Sequence, residues 1–178
     1  MDGIIDNPES ERELEYASFW MRVGASFIDG LILAFVFAII FAALFLQQLT
    51  ENWRDIEKLL VTPEFANFGY VTTIIGALYT IFMESSAKQA TIGKMAMGIQ
   101  VSNEFGERIS VPNALMRYLA KNFFLLLLTI PLFSNLGMLF NFLYIAGCLL
   151  VIWDQHKQAL HDKIAKTYVV LKKEETEL

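Results

Sequence analysis

Residues 27–46 read FIDGLILAFVFAIIFAALFL, twenty residues with a single charge, Asp29. A membrane-spanning helix needs about 20 apolar residues, so this stretch predicts a span from about 19 to 46. Two further runs have no charge at all: Phe65–Met83, and Phe123–Trp153 over thirty-one residues. The last is too long for one span, because a helix of that length is roughly 46 Å against a hydrocarbon core of about 30 Å. Pro131, Ser134, Asn135 and Gly137 supply turn residues in its middle, so it reads as a helical hairpin. Its first arm reaches back to Pro112, with Ser110 as N-cap. The expected fold is an all-α membrane protein with four transmembrane helices, at about 19–46, 65–84, 112–132 and 136–153, paired as two hairpins.

Composition agrees. The chain has 178 residues, 55% of them apolar, fifteen phenylalanines and a mean hydropathy of +0.44. Orientation follows from Lys and Arg, not from net charge. With four spans, one side holds Arg12, Arg22, Lys88, Lys94, Arg108, Arg117, Lys121, Lys157, Lys163, Lys166, Lys172 and Lys173, and the other only Arg54 and Lys58. This bias predicts a multi-pass protein of the cell (inner) membrane with both termini cytoplasmic. The net charge of −5 comes largely from the ends. Residues 1–18 read as an acidic cytoplasmic tail, 19–153 as the membrane region, and 154–178 as a cytoplasmic C-terminal segment. Such acidic blocks are usually solvated. The lone Cys148 excludes an intrachain disulfide and reads as packing.

Two connecting segments have their own texture. In residues 85–111, Met97–Ser102 and Arg108–Val111 alternate around a turn at Asn103–Gly106, predicting a cytoplasmic β-hairpin. Residues 167–171 read as a strand that could join it, since an isolated hairpin is marginal. Trp53, Ile56, Leu59 and Leu60 predict a short surface helix in the outer loop.

Polar residues inside the apolar runs carry the functional question. Arg22 and Asp29 are seven apart, almost two helical turns, and so share a face with Ser26. A carboxylate in hydrocarbon faces protein or water, not lipid. Asp29 is therefore either a proton or cation site with Arg22 as countercharge, or part of a polar network that fixes helix packing. Thr72, Gly76, Thr80 and Glu84 form a stripe that allows close helix approach, with hydroxyls able to bond across it. Arg117 and Lys121 lie one turn apart. They either anchor the helix among lipid headgroups or pair with Glu84, Asp154 or Asp162. Asn141 is expected to hydrogen-bond a neighbouring helix.

Enzymatic readings fail. His156 and His161 lack the partners of a zinc site. Gly93-Lys94 has Lys88 where a phosphate loop needs Gly, and Met95 where it needs Ser or Thr. No nucleophile elbow occurs, and the basic residues lack the aromatic interleaving of a nucleic-acid groove. No cofactor, metal or catalytic residue is expected.

Three segments resemble the RDD family of small membrane proteins. They are Phe19–Gly30, Ala90–Val101 followed by Arg117–Lys121, and Gln158–Val170. The family is named for one Arg and two Asp, which by motif correspond to Arg22, Asp29 and Asp162, with Asp154 a nearby alternative for the last. Where members often carry two adjacent arginines, this chain has Met21-Arg22. The resemblance implies a helical bundle in the membrane. It leaves two expectations for activity: transport of protons or small cations, or a non-transporting adaptor or regulator. Membrane lipids, a second copy or a partner membrane protein are the expected contacts.

Overall fold

The computed structural model describes residues 14–51, 56–128 and 135–172. The elements run α1 (Phe19–Glu51), α2 (Ile56–Leu60), α3 (Pro63–Glu84), α4 (Ile92–Ala96), β1 (Ile99–Ser102), α5 (Val111–Leu128), α6 (Gly137–Trp153), α7 (Leu160–Ala165) and β2 (Tyr168–Leu171). Among the described residues, α1 and α3 are long and apolar enough to cross a membrane. Helix α6 is as apolar but has 17 residues. Helix α5 carries Arg117 and Lys121 within its 18. The turn expected at Pro131 falls outside the described residues, as does Trp53 of the outer-loop helix, of which α2 is the described part.

Local chemistry sets the starts of the helices. Thr62 accepts a hydrogen bond from the Phe65 N–H at 3.2 Å with Pro63 in the first turn of α3. Ser110 accepts from the Asn113 N–H at 3.3 Å, with Pro112 in the first turn of α5. Both fit the preference for hydroxyl caps and early proline.

The sheet differs from the expected hairpin. β1 pairs antiparallel with β2, Ile99 opposite Leu171 and Ser102 opposite Tyr168. The arm after the turn contributes only one bridge, Arg108 to Ser102, because α5 begins three residues later. The far edge of β2 is taken by the end of the acidic leader: the Ala17 N–H donates to the Val169 carbonyl at 2.9 Å, and the Leu171 N–H to the Glu15 carbonyl at 2.8 Å. This brings a third extended segment to a sheet that two strands would leave marginal.

Burial is unevenly distributed. The buried apolar cluster comprises Ala17, Ala25, Ile81, Ile99, Val101, Ile109, Ala114 and Val169, all at the end of the helices that carries the sheet. Along the helices the large apolar side chains point outward; Phe35 is 69% exposed, with Phe27, Leu31 and Ile39 beside it on α1. A greasy exterior over a small internal core is the arrangement expected when lipid is the solvent.

Helices α1 and α3 meet through rings. Phe41 and Phe45 pack on Phe65 and Phe68, with centroids 5.6 to 6.4 Å apart. The stripe expected to bring the helices close does not do so: a Cβ built at Gly76 meets nothing within 4 Å. Its threonines bond within their own helix, Thr72 and Thr73 to the Gly69 carbonyl and Thr80 to that of Gly76. Close approach occurs instead where α4 lies on α1. A Cβ at Gly93 would overlap the Ala25 carbonyl oxygen and come within 2.8 Å of Asp29 Cγ.

The two glycines therefore separate experimentally. Gly93→Ala is expected to destabilise by about 1–3 kcal/mol through overpacking against backbone. Gly76→Ala should stay within about 0.5 kcal/mol of wild type or gain slightly, since only helix propensity changes. Thermal unfolding in detergent reads both, and equal stability of the two variants would contradict this packing of α4.

Candidate functional site

A chain of alternating charges runs through the sheet end of the bundle, one residue from each of five elements. Arg22 on α1 donates from Nη1 to Asp162 Oδ2 at 2.6 Å. Asp162 on α7 presents Oδ1 to Arg117 Nη2 of α5 at 2.9 Å. Arg117 Nε stands 3.8 Å from Glu84 Oε2 at the end of α3. Glu84 Oε1 pairs with the ammonium of Lys94 on α4. Asp162 has no exposed surface, and Glu84 and Arg117 are nearly as buried. Charges so enclosed are tolerated only when paired and hydrogen-bonded.

Backbone contacts fix Arg22 and Asp162. Arg22 also donates to the Ala17 carbonyl from Nε and to the Lys157 carbonyl from Nη2. Asp162 accepts from the Ala159 N–H at 3.1 Å, capping the helix it belongs to. The segment carrying it begins and ends in left-handed backbone, at Lys157 (φ 49°) and Lys166 (φ 52°). Such conformations cost non-glycine residues free energy and persist where the surroundings enforce them.

Asp29 closes the circuit. Its Oδ1 accepts from the Gly93 N–H at 2.8 Å and the Tyr79 hydroxyl at 3.0 Å, and its Oδ2 from the Thr91 hydroxyl at 2.5 Å. Tyr79 in turn accepts from the Ile92 N–H at 2.9 Å. One carboxylate on α1 thus holds the start of α4 and the last turns of α3. Arg22 is not its countercharge, because that guanidinium is committed to Asp162. Of the two candidates for the second family Asp, Asp162 joins the cluster. Asp154 instead pairs with Lys163 and accepts the Gln158 and His156 N–H groups of its own turn.

The remaining expected residues divide. Arg117 pairs with both Asp162 and Glu84. Lys121 has no ion pair within 4 Å among the described residues. Ser26 is exposed, Thr80 bonds its own helix, and Asn141, also exposed, bonds the Gly137 carbonyl of α6 and not a neighbouring helix. Sequence reasoning missed Lys94, Thr91, Tyr79 and His161. The signal for the first two was present in Ala90–Val101, whose Gly93-Lys94 was weighed only as a phosphate loop.

Electrostatics around α7 follow from burial. Burial opposes the Asp162 carboxylate, but Arg117, His161 and Arg22 outweigh it and hold the group well below the usual carboxylate range. His161, with Nε2 3.4 Å from Asp162 Oδ1, is pushed by burial down to about 3 despite that neighbour, aided by Arg117, Lys121 and Arg22. It is neutral at pH 7, so the two guanidiniums carry the load there. Burial likewise pushes Lys94 down to about 8 against the pull of Glu84. No group of three or more metal-ligating side chains occurs among the described residues.

Comparison with known proteins places these residues in context. The RDD family description matches residues 16–166, spanning all five elements of the charge chain. The uncharacterized protein YxaI of Bacillus subtilis (strain 168) is 30% identical over 164 residues, covering 88% of this chain and 97% of its own length. The uncharacterized protein YckC of the same organism is 26% identical over 153 residues, 86% of this chain and 83% of its own. No solved structure matches.

The cluster predicts acid sensitivity. The unfolded chain protonates His161 near 6.5, the folded one only near 3. Between those values the unfolded state binds the extra proton, so stability falls with pH by up to tenfold per unit in the unfolding equilibrium. The contribution of Asp162 is present above 3.8 and lost below it. Unfolding measured from pH 7 to 4 should show that slope, and His161→Gln should flatten it between 6.5 and 4. An unchanged slope in His161→Gln would contradict the assignment.

Proposed function

The chain belongs to the RDD family, and from that premise we propose that it is a non-transporting membrane adaptor. Its Arg and Asp residues fasten a cytoplasmic cap, made of the sheet with α4 and α7, to the ends of the membrane helices. In this reading α5 and α6 are the third and fourth spans. The count of Lys and Arg, twelve in the segments this reading assigns to the cap's side against two in the other loop, supports a cytoplasmic cap and termini.

The observation that carries the reading is that protein donors engage both oxygens of Asp29. Three protein donors, from α3, α4 and the segment before it, already satisfy both oxygens. Beyond Asp29, α1 offers only apolar residues from Gly30 to Leu46. The α3 threonines direct their hydroxyls to their own helix. A route for a proton or cation needs a succession of polar groups or water, and α1 offers no polar side chain from Gly30 to Leu46. What Asp29 does is join three elements, which is a structural task.

Vesicles bearing the reconstituted chain are expected to hold an imposed pH gradient as long as protein-free vesicles do, with sodium or potassium present. Asp29→Asn should lower thermal stability by about 1–2 kcal/mol, because a charge-assisted acceptor of three hydrogen bonds is lost. Cation-dependent dissipation by wild type, abolished in an Asp29→Asn variant of unchanged stability, would overturn the adaptor reading in favour of transport.

A further inference from the structure

Helices α4 and α7 are patterned inside out. On α7, Asp162 is fully buried while Leu160 and Ile164, one turn apart, are 42% and 52% exposed. On α4, Gly93 is buried and Ile92 is exposed. A short helix at a water-facing surface turns its carboxylate out and its leucine in. The reverse is favoured where the surroundings are hydrocarbon. Leu160 also packs on α6, its Cβ 3.4 Å from where a Cβ on Gly147 would stand, six residues inside the end of that helix.

Beside this contact is an open notch between α5, α6 and α7. It is shallow, holding about 10 Å³; its apolar wall includes Leu143 and Leu160, its polar groups come from Tyr144, Cys148 and His161, and its cationic group is Lys121. The charge chain holds three cations, Arg22, Arg117 and Lys94, against two carboxylates, Asp162 and Glu84. Lys121 adds a further positive charge with no carboxylate within 4 Å among the described residues. Arg117 Nη1, on the same face of α5 one turn away, is buried and has no hydrogen-bond partner. A notch of mixed lining that includes the Lys121 ammonium, beside a helix whose outer face is aliphatic, is complementary to a ligand that is anionic at one end and hydrocarbon at the other.

We propose that the headgroup of an anionic phospholipid binds at the mouth of this notch, held by the Lys121 ammonium, with its acyl chains over Leu160, Ile164 and the outer face of α6. The site rests on the membrane reading above but not on the absence of transport. Lipid bound here would brace α7, and with it Asp162, against α5 and α6.

Thermal unfolding of the full chain in detergent tests it, with phosphatidylglycerol, phosphatidylcholine or inorganic phosphate added. Phosphatidylglycerol should raise Tm by about 5 °C near saturation, whereas phosphatidylcholine and phosphate should leave it unchanged. The gain should disappear in Lys121→Gln and persist in Lys121→Arg and in Lys88→Gln, which removes an exposed lysine elsewhere. An equal gain from phosphatidylcholine, from phosphate alone, or in Lys121→Gln would overturn the proposal, as would no gain in wild type. Should Lys121→Gln fail to fold, native mass spectrometry of wild type and Lys121→Arg decides. Retention of phosphatidylglycerol in preference to phosphatidylcholine by both supports the site, and no preference overturns it. A failure of this kind in a chain that still inserts into bilayers leaves the membrane reading intact.

Discussion

A carboxylate with no exposed surface sits between two guanidiniums from different helices, and the rest of the fold accommodates that fact. Asp162 would lose several kcal/mol if buried as an unpaired ion. Its partners, Arg22 on α1 and Arg117 on α5, lie 140 and 45 residues away in sequence. Once they converge, α7 has one seat, and β2 follows it directly into the sheet between β1 and the leader. The pairing therefore converts a chemical requirement of one side chain into a topological one for five elements. Glu84 and Lys94 extend it to α3 and α4, and Asp29 returns it to α1.

This explains why the internal apolar core is small and placed at one end. Helices surrounded by lipid gain little from burying leucine against leucine, so packing and polar contacts must hold them together. Here the polar contacts are concentrated where α1, α3 and α5 enter the cap. The phenylalanines of α1 and α3 provide the packing at the opposite end. Between them the helices present side chains outward, and few contacts join α1 to α3 or α6. The cap is accordingly the part that specifies the arrangement of the helices.

The sequence announced the membrane class through the composition of residues 27–46 and 65–83, because hydrocarbon imposes length and polarity limits that a window of twenty residues reveals. It also singled out Arg22, Asp29, Glu84 and Arg117, since charge beside or within apolar runs is conspicuous, and Asp162 through the family resemblance. The pairings were not legible. Helical spacing put Arg22 and Asp29 on one face and so suggested that they meet. Whether they do depends on α7 and α4, which come from distant segments and compete for the same two side chains. Residues 92–96 carried too weak a periodicity to be read as a helix. The role of Gly93 lay in the absence of a side chain, which only a neighbouring backbone makes meaningful. The strand expected at 167–171 does join the sheet, whereas the second arm of the expected hairpin contributes only the Arg108 bridge because α5 begins three residues later.

The central claim is that Arg22 and Asp162 act as a pair that holds the cap to the first helix. A double-mutant cycle of Arg22→Met and Asp162→Leu, read by equilibrium unfolding in detergent, measures that directly. Each single change should cost up to about 3–5 kcal/mol by removing one partner of a buried ion pair. The double variant should cost well below the sum, giving a coupling of at least about 1.5 kcal/mol. Additive costs, with a coupling indistinguishable from zero, would contradict it.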